Sequence, residues 1–165
     1  MNNTIAICPG SFDPITIGHL DIISRSAKMF GKVIVVVMSN PAKKNSGSFT
    51  IEERVEMIKK SVVDIPNVEV DHFEGLLADY AKLKNAGAII KGLRAVTDFE
   101  YEFQMALTNK KLNPNVETLF LTTSAQNMYL SSSMVKQIAG MGGDVSDFLP
   151  VVIYDDVLKR ISSKN

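Results

Sequence analysis

The sequence predicts an α/β protein with a doubly wound, five-stranded parallel sheet. Short apolar runs rich in β-branched residues alternate with longer segments whose apolar residues recur near the helical period of 3.6. Five such strand–helix units follow one another without a long interruption. Helices between parallel strands cross over in the right-handed sense and cover both faces of the sheet. We therefore predict a Rossmann-like architecture with the strand order 3-2-1-4-5.

The first elements depend on clear stop and start signals. The apolar run from Thr4 to Cys8 ends at Pro9-Gly10, and Val33 to Met38 is a continuous β-branched run, so both are predicted to be buried strands. The helix between them is predicted over Gly18 to Phe30, with Gly31 as its stop signal. The prediction is therefore a strand–helix–strand unit at the start of the chain.

The rest of the chain repeats this alternation. Asn40 to Ser48 is polar and aperiodic, which predicts a mobile loop. Thr50 and Glu53 have the spacing of a capping box, so a helix from Ile51 to about Asp64 is expected. The later predicted elements are a strand at Val68 to Phe73, a helix from Leu76 to Ala86 ended by Gly87, a strand at Ala88 to Ile90, a helix from about Asp98 to Leu112, a strand at Thr118 to Thr122, a helix that begins within Ser131 to Ser133, and a short amphipathic helix from Asp155 to Ile161.

Length and composition exclude several classes of protein. The 165 residues suit one domain, in which the segment 141–165 packs on the same core. Lys plus Arg and Asp plus Glu number 18 each, so a general attraction for nucleic acid or a membrane surface is absent. The sequence lacks both a secretory signal pattern and an apolar run of the roughly 18 residues that a membrane span needs. The lone Cys8 is expected to be a packed thiol, and the protein is expected to be cytoplasmic.

The loops after the first, fourth and fifth predicted strands contain the candidate site. Ligands of open parallel sheets bind beyond the carboxyl ends of the strands, near the point where the strand order reverses. With the predicted order, the loops Pro9 to His19, Lys91 to Arg94 and Ser124 to Ser133 face one crevice. Neither G-x-G-x-x-G nor G-x-x-x-x-G-K-[ST] occurs in the sequence, so phosphates must be held in another way.

Thr16-Ile17-Gly18-His19 offers one such way. The start of a helix carries unpaired N–H groups and a partial positive charge, Gly18 lets a phosphate approach the backbone, and His19 adds a directed donor. The alternative is that His19 is a surface or helix-capping residue. The flanking Gly-Ser-Phe-Asp-Pro turn and the candidate groups on two other strands favour the phosphate site.

Other candidate residues also have structural alternatives. Arg94 can bind two phosphate oxygens through its guanidinium, or it can pair with Glu100 or Glu102 on the next helix. The serines 131–133 can form a phosphate nest, although capping a helix needs only one of them. The Lys43-Lys44 pair can meet an anionic substrate or be a solvated pair. Phe99, Tyr101 and Phe103 are expected to be core or interface residues.

Taken in order, the motifs of this chain resemble those of the bacterial phosphopantetheine adenylyltransferase family. The matching segments are Pro9-Gly10-Ser11-Phe12-Asp13-Pro14-Ile15-Thr16-x-Gly18-His19, Thr50-x-Glu52-Glu53-Arg54, Lys91-Gly92-Leu93-Arg94-Ala95-Val96-x-Asp98-Phe99-Glu100-Tyr101-Glu102 and Ser131-Ser132-Ser133-x-Val135-Lys136. The resemblance implies a nucleotidyltransferase fold and transfer of the adenylyl group of ATP to 4′-phosphopantetheine, giving dephospho-coenzyme A and pyrophosphate. It further implies Mg²⁺ as cofactor, a homohexamer and feedback by coenzyme A.

The resemblance also implies roles for individual residues, with catalytic roles for His19, Lys43 and Arg94. The implied ATP-binding residues are Ser11, Phe12, His19, Gly92, Leu93, Arg94, Glu102, Asn127, Met128, Tyr129, Leu130, Ser131, Ser132 and Ser133. The implied phosphopantetheine-binding residues are Ser11, Lys43, Leu77 and Lys91. Lys91 occurs where many relatives have Arg, and Asn127-Met128-Tyr129 replaces a stretch that is often aromatic-Ser-Phe.

The expected chemistry needs no covalent intermediate. The phosphate of phosphopantetheine is already ionised at neutral pH and can attack the α-phosphorus of ATP in line, so the protein has to orient two anions and offset their repulsion. Two other functions stay open at this point. One is a nucleotidyltransferase for another acceptor such as nicotinamide mononucleotide, and the other is a nucleotide-binding regulatory module without turnover.

Overall fold

A computed structural model describes residues 4–39, 47–94 and 96–162 of the chain. The predicted loop from Asn40 to Ser48, including Lys43, lies for the most part outside the described residues. The helices and strands are β1 (Ile5–Gly10), α1 (Ile17–Met29), β2 (Lys32–Ser39), α2 (Ile51–Ser61), β3 (Val68–Glu74), α3 (Leu77–Leu83), β4 (Ala88–Leu93), α4 (Val96–Leu112), β5 (Glu117–Thr122), α5 (Ser132–Gly140) and α6 (Tyr154–Ser162). Short 3₁₀ turns occur at Ala125–Asn127, Ser146–Phe148 and Val151–Ile153.

The strands form one parallel sheet in the order β3-β2-β1-β4-β5, which confirms the predicted fold class and strand order. Because side chains alternate across a strand, Ala6 and Cys8 of β1 face one hydrophobic cluster and Ile7 faces another. Helices α1, α2, α5 and α6 contribute to the first cluster, and α3 contributes Tyr80 and Ala81 to the second. Helices thus cover both faces of the sheet.

The C-terminal segment packs on the larger of these clusters. Its buried apolar side chains are Val145, Leu149, Ile153 and Val157. They lie in the same cluster as the core residues of β1, β2 and α2, so the segment covers the face of the sheet on which α1 and α5 also pack.

Some helix ends differ from the prediction, and α3 differs most. The predicted end at Gly87 is wrong because α3 stops at Leu83 in a Schellman motif. Asn85 adopts a left-handed conformation with φ of 50° and donates to the Lys82 carbonyl, while Ala86 donates to the Ala81 carbonyl. The side chain of Asn tolerates this region better than most residues do, so Asn85 ends the helix without a glycine.

Helices α1 and α2 begin as expected and end early. Thr50 and Glu53 form the predicted capping box at the start of α2, with Thr50 N–H donating to Glu53 Oε2 at 2.8 Å. Helix α2 ends at Ser61 rather than near Asp64. Helix α1 ends at Met29, because the next residue, Phe30, already has extended backbone.

The two central strands separate at their carboxyl ends. The pairing of β1 with β2 continues to Gly10 and Val37, whereas the pairing of β1 with β4 stops at Ile7 and Ile89. Pro9 contributes to this opening because it has no N–H to donate to a ladder on either side. A gap therefore opens between β1 and β4, at the point where the strand order reverses.

Helix α4 has 17 residues and leaves much of its apolar surface uncovered. Phe99, Phe103 and Leu107 follow one another at a spacing of four residues, and each is exposed. The rings of Phe99 and Phe103 stack with their centroids 5.5 Å apart. Of the two alternatives for Phe99, Tyr101 and Phe103, the core is therefore excluded because all three are exposed, and the interface stays a prediction. Within residues 4–39, 47–94 and 96–162, every helix is too short or too polar to cross a membrane.

Candidate functional site

The gap between β1 and β4 is a cleft with a volume of about 390 Å³. The structure brings the loops after β1, β4 and β5 together around it. The predicted site residues that line the cleft are Ser11, Phe12, His19, Lys91, Gly92, Arg94, Glu102, Asn127, Leu130, Ser131, Ser132 and Ser133. Pro9, Gly10, Thr16 and Gly18 also line the cleft, as expected for the loop from Pro9 to His19. The remaining lining residues, to which sequence reasoning assigned no role in the site, are Cys8, Ile22, Ile23, Ile90 and Thr123.

Predicted site residues also lie outside the cleft lining. Met128 and Tyr129 are about half exposed, and the ring of Tyr129 contacts Phe148 at the start of the C-terminal segment. Leu93 ends β4 beside the cleft without lining it. Lys43 is not among the described residues. Leu77 lines a separate pocket of about 100 Å³, to which Lys91 and Glu102 also contribute.

His19 both caps helix α1 and lines the cleft. Thr16 is the N-cap residue, and its backbone N–H donates to His19 Nδ1 at 3.0 Å. In return, the N–H of His19 donates to Thr16 Oγ1 at 3.4 Å. Because Nδ1 is an acceptor here, the proton of the neutral ring is on Nε2. The capping alternative is therefore correct for one ring nitrogen, and the other can donate to a ligand.

The surroundings of His19 keep its ring neutral. Burial, followed by the positive charges of Arg94 and Lys91, lowers the pKa of His19 from 6.5 to about 4. A proton on Nδ1 would also point at the N–H of Thr16, which is itself a donor, so protonation would break this hydrogen bond. The ring of Phe12 packs edge-on against His19 with 5.0 Å between ring centroids. His19 is thus a fixed, uncharged hydrogen-bond donor at neutral pH.

Two cations of the cleft are held by carboxylates of α4. Lys91 Nζ lies 3.2 Å from Glu102 Oε2. Arg94 Nε lies 3.2 Å from Asp98 Oδ2, and Arg94 Nη1 donates to the carbonyl of Leu130 at 3.0 Å. The expected structural partners of Arg94, Glu100 and Glu102, are therefore wrong. Asp98 is one helical turn nearer to Arg94 than Glu102 is, and Glu102 pairs with Lys91.

Two serines of the run 131–133 have different structural roles: one caps helix α5, and the next binds the loop after β1. Ser131 is the N-cap residue of α5, and its Oγ accepts from the N–H of Met134 at 3.1 Å. Ser132 Oγ donates to the carbonyl of Pro14 at 2.7 Å and so joins α5 to the loop after β1. Since α1 and α5 both begin at the cleft, their N-terminal N–H groups contribute positive potential there.

Sequence reasoning missed a buried charge cluster behind the cleft. Asp13 is 8% exposed, and its carboxylate lies 2.7 Å from Lys136 Nζ and 3.4 Å from Arg54 Nε. All of these residues belong to the motifs that carry the family resemblance, and that was the one available signal. Their pairing could not be read from the sequence because Asp13 and Lys136 are 123 positions apart.

The single cysteine is buried at the floor of the cleft, as expected. Its thiol lies 3.7 Å from Ser26 Oγ. Burial raises the pKa of Cys8 to about 12, so the thiol is protonated at neutral pH. Cys8 is therefore a packing residue, and a thiolate nucleophile is not available from it.

Comparisons with known proteins give a consistent result. Residues 7–138 match the family model described as cytidylyltransferase-like. A phosphopantetheine adenylyltransferase of Caldanaerobacter subterraneus subsp. tengcongensis is 60% identical over 156 residues, which cover 94% of this chain and 96% of that protein. Another from Clostridium tetani is 57% identical over 160 residues, with 97% and 99% covered.

A solved structure also shares the fold. A bifunctional NMN adenylyltransferase/ADP ribose pyrophosphatase from Francisella tularensis, complexed with AMP and a manganese ion, aligns with a TM-score of 0.69 and 18% identity. The alignment covers 97% of this chain and 49% of that protein, so the chain spans about half of its length. At this identity the likeness shows the fold alone.

Proposed function

The chain belongs to the phosphopantetheine adenylyltransferase family, and we propose that it transfers the adenylyl group of ATP to 4′-phosphopantetheine. The products are dephospho-coenzyme A and pyrophosphate, and the reaction belongs to coenzyme A biosynthesis. The observation that carries this proposal is the convergence of Lys91, Arg94, His19 and the N-termini of α1 and α5 on the cleft between β1 and β4.

The cleft suits the triphosphate of ATP. Helix N-termini bind phosphate through free N–H groups, and Arg94 adds a guanidinium that a phosphate can share with Asp98. Gly18 supports this placement. A Cβ on Gly18 would be 3.6 Å from Thr16 Oγ1 and 3.7 Å from Asn127 Cβ, which is ordinary contact, so packing within the protein does not require a glycine. The missing side chain instead gives a phosphate room beside the backbone.

The acceptor is expected on the Lys91 side of the cleft. Lys91 and Glu102 line both the main cleft and the small pocket that contains Leu77. A cation next to an apolar pocket is suited to an acceptor with an anionic head and a less polar arm. We propose that Lys91, Leu77 and Ser11, together with Lys43, hold phosphopantetheine, and that Lys91 leaves Glu102 to bind its phosphate.

The proposed chemistry is a direct displacement. The ionised acceptor phosphate attacks the α-phosphorus of ATP, and a new P–O bond forms as the bond to pyrophosphate breaks. This displacement needs no protein base because the attacking phosphate is already ionised. His19 Nε2–H would donate to the α-phosphate as negative charge builds on it, and Lys43 and Arg94 would offset that charge. Since the Cys8 thiol is protonated, it cannot compete as a nucleophile.

We propose that Mg²⁺ enters with ATP as its magnesium complex. Of the described residues that line the cleft, Glu102 alone carries a carboxylate, and it already pairs with Lys91. In the described part of the chain, no three side chains of His, Cys, Asp or Glu come together to hold a metal ion. Hard cations prefer phosphate and carboxylate oxygens, so the triphosphate is the better ligand.

The assembly and the location of the protein are proposals of the same kind. We propose a homohexamer whose contacts include the exposed face of α4, feedback binding of coenzyme A at the acceptor site, and a cytoplasmic location. An exposed stripe of aromatic and aliphatic side chains is typical of an interface. Sedimentation velocity of the purified chain tests the assembly directly, and a monomer at micromolar concentration contradicts it.

Release of pyrophosphate is the experiment that tests the activity. The purified chain is given ATP and Mg²⁺ with 4′-phosphopantetheine, with nicotinamide mononucleotide, or with no acceptor. We expect rapid pyrophosphate release only in the mixture that contains 4′-phosphopantetheine. Release with nicotinamide mononucleotide indicates another acceptor class, and ATP binding without release in any mixture indicates a regulatory module. Labelled adenylate bound covalently to the protein would contradict direct displacement.

A further inference from the structure

One buried carboxylate beside the cleft has no part in the mechanism above. Asp13 lies in the loop after β1, does not line the cleft, and is buried. We propose that Asp13 is a positioning residue that holds the loop after β1, the segment before α2 and helix α5 in one fixed arrangement around the cleft. The effect on catalysis that follows rests on the proposed function, whereas the effect on structure does not.

The contacts of Asp13 come from separate parts of the chain. Oδ1 accepts from the N–H of Phe49 at 3.0 Å, and Oδ2 accepts from the N–H of Ser48 at 3.0 Å. Lys136 Nζ of α5 lies 2.7 Å from Oδ2, and Arg54 Nε of α2 lies 3.4 Å from Oδ1. The carboxylate thus accepts three hydrogen bonds, from two backbone N–H groups and one ammonium. Arg54 Nε donates instead to the carbonyl of Phe49 at 2.9 Å, and its positive charge lies beside the carboxylate.

This arrangement favours the ionised carboxylate. Burial works against the charge, but the hydrogen bonds from Lys136, Ser48 and Phe49 and the charge of Arg54 outweigh it and lower the pKa of Asp13. A buried ion pair that is also hydrogen-bonded holds its partners rigidly, and loss of one partner leaves an uncompensated charge. We call the contacts of Asp13 with Ser48, Phe49, Arg54 and Lys136 the Asp13 joint.

The residues next to Asp13 are tied to the same neighbours. Arg54 Nη1 donates to the carbonyl of Ser11 at 3.2 Å, and Ser132 Oγ donates to the carbonyl of Pro14 at 2.7 Å. Phe12, which lies between Ser11 and Asp13, has φ of 46°, in the left-handed region that a bulky side chain rarely adopts. Surrounding contacts must hold such a backbone in place.

The link to the reaction is Phe12. Its ring packs against His19 with 5.0 Å between centroids, and it is nearly fully buried. If the Asp13 joint loosens, the loop can relax and Phe12 no longer fixes the His19 ring. The first turn of α5 would also shift, because Lys136 and Ser132 both hold α5 to this loop. Asp13 thus acts through His19 and the serine run rather than by contact with substrate.

The principal test compares Asp13→Asn with a matched control. The amide that replaces the carboxylate can accept through one oxygen only, and its NH₂ group faces donors. Asp156→Asn is the control because Asp156 also pairs with a lysine, Lys60 at 2.9 Å, but lies far more exposed on α6. Hydrogen–deuterium exchange of the peptide that contains Ser48 and Phe49 reports on the joint, and kcat at matched folded fraction reports on positioning.

We expect exchange of that peptide to become roughly tenfold faster in Asp13→Asn, as for loss of a hydrogen bond to a charged group. We expect kcat to fall by about a hundredfold, the cost of a small misplacement of reacting groups, with KM for ATP changed much less. Asp156→Asn should alter neither quantity. Exchange at the wild-type rate, or kcat within about threefold of wild type, overturns the proposal.

A second variant keeps the test valid if Asp13→Asn does not fold. Lys136→Gln leaves the two backbone donors and Arg54 on Asp13, and kcat should fall by roughly tenfold. In the double variant Asp13→Asn/Lys136→Gln, the loss should be smaller than the product of the single losses, because each single variant leaves the other member of the Asp13–Lys136 pair without its partner and the double variant removes both. Losses that multiply would show that α5 is not held through Asp13. If wild type releases no pyrophosphate, the proposed function fails, and the exchange data still decide the role of Asp13.

Discussion

Lys91 Nζ lies 3.2 Å from Glu102 Oε2, and both side chains line the main cleft as well as the small pocket that contains Leu77. In the absence of acceptor, the charge of Lys91 is paired with that of Glu102. A phosphate that enters the cleft can take the place of the Glu102 carboxylate beside Lys91. An ammonium group is a compact, strongly hydrated charge on a flexible stem, which suits such an exchange.

The acceptor site can be tested through Lys91. Lys91→Ala should weaken phosphopantetheine binding by roughly 1.5 to 3 kcal/mol, the range for a hydrogen bond to a charged group, while ATP affinity changes little. Lys91→Arg keeps the charge and should stay active. The measurement is KM for each substrate in both variants. Equal losses for the two substrates in Lys91→Ala would point to a general electrostatic role instead.

The role of His19 can be separated from its capping function by two substitutions. Gln and Glu are both favoured at the third position of a capping box, so His19→Gln and His19→Glu should each keep the start of α1. Gln can accept from Thr16 with its oxygen and donate with its NH₂ group, whereas Glu presents a negative charge to the phosphates. His19→Ala should lower kcat by about a hundred- to a thousandfold.

His19→Gln should retain more activity than His19→Ala, and His19→Glu should retain less. Steady-state kcat with ATP and phosphopantetheine distinguishes them, and circular dichroism checks the helix. An alanine variant within about threefold of wild type would remove His19 from the mechanism, and equal activity of the Gln and Glu variants would contradict its role as a donor.

The depressed pKa of His19 predicts a pH-dependent stability. In the unfolded chain the ring takes up a proton near pH 6.5, but in the folded chain it does so only near pH 4. The unfolded state therefore binds more protons between these values, so the free energy of unfolding rises with pH in that window and falls on acidification. Full stabilisation is present above about pH 6.5.

Urea unfolding of wild type and His19→Gln between pH 4.5 and pH 7 measures this effect. The other histidine, His72, is common to both proteins, so the difference between them isolates His19. On acidification, wild type should lose stability faster than the variant, with a difference that approaches about 1.4 kcal/mol per pH unit. Parallel curves would mean that His19 titrates alike in the folded and unfolded states.

Arg94→Ala should raise KM for ATP, because a charge-assisted contact to phosphate is lost. The substitution also frees Asp98 and the Leu130 carbonyl, which Arg94 holds in this structure. Asp98→Asn is the matched control, since it disturbs the same ion pair but keeps the guanidinium. Titration calorimetry with ATP decides between the roles. If both variants bind ATP as wild type does, Arg94 serves the structure alone.

Gly18→Ala should separate stability from binding. Ala is favoured over Gly in a helix by up to about 1 kcal/mol, and the added methyl group meets only ordinary contacts, so thermal stability should be equal or higher. The methyl group would occupy space that a phosphate needs beside the N-terminus of α1, so KM for ATP should rise. A variant that is more stable and binds ATP normally would place the phosphates elsewhere in the cleft.

The sheet and its strand order were predictable from local sequence patterns. Buried strands such as Val33 to Met38 are recognisable as continuous runs of apolar, mostly β-branched residues. The right-handed crossover rule leaves few topologies for alternating strands and helices. Capping at Thr50 and Glu53 was predictable because it depends on a spacing of three residues. The end of α3 was not, because Asn85 resembles many other polar residues and only its backbone conformation shows that it ends a helix.

The pairing of the charged side chains in and behind the cleft depends on the folded chain. Motifs predicted which loops would meet, but no local period encodes a contact between Asp13 and Lys136, which folding brings together from 123 positions apart. The choice of Asp98 for Arg94 and of Glu102 for Lys91 likewise depends on where α4 lies against β4. The separation of β1 from β4 beyond Ile7 is also a property of the assembled sheet. Hydrophobic patterning specifies which residues are buried, whereas the pairing of charges depends on distances that exist only after the chain has folded.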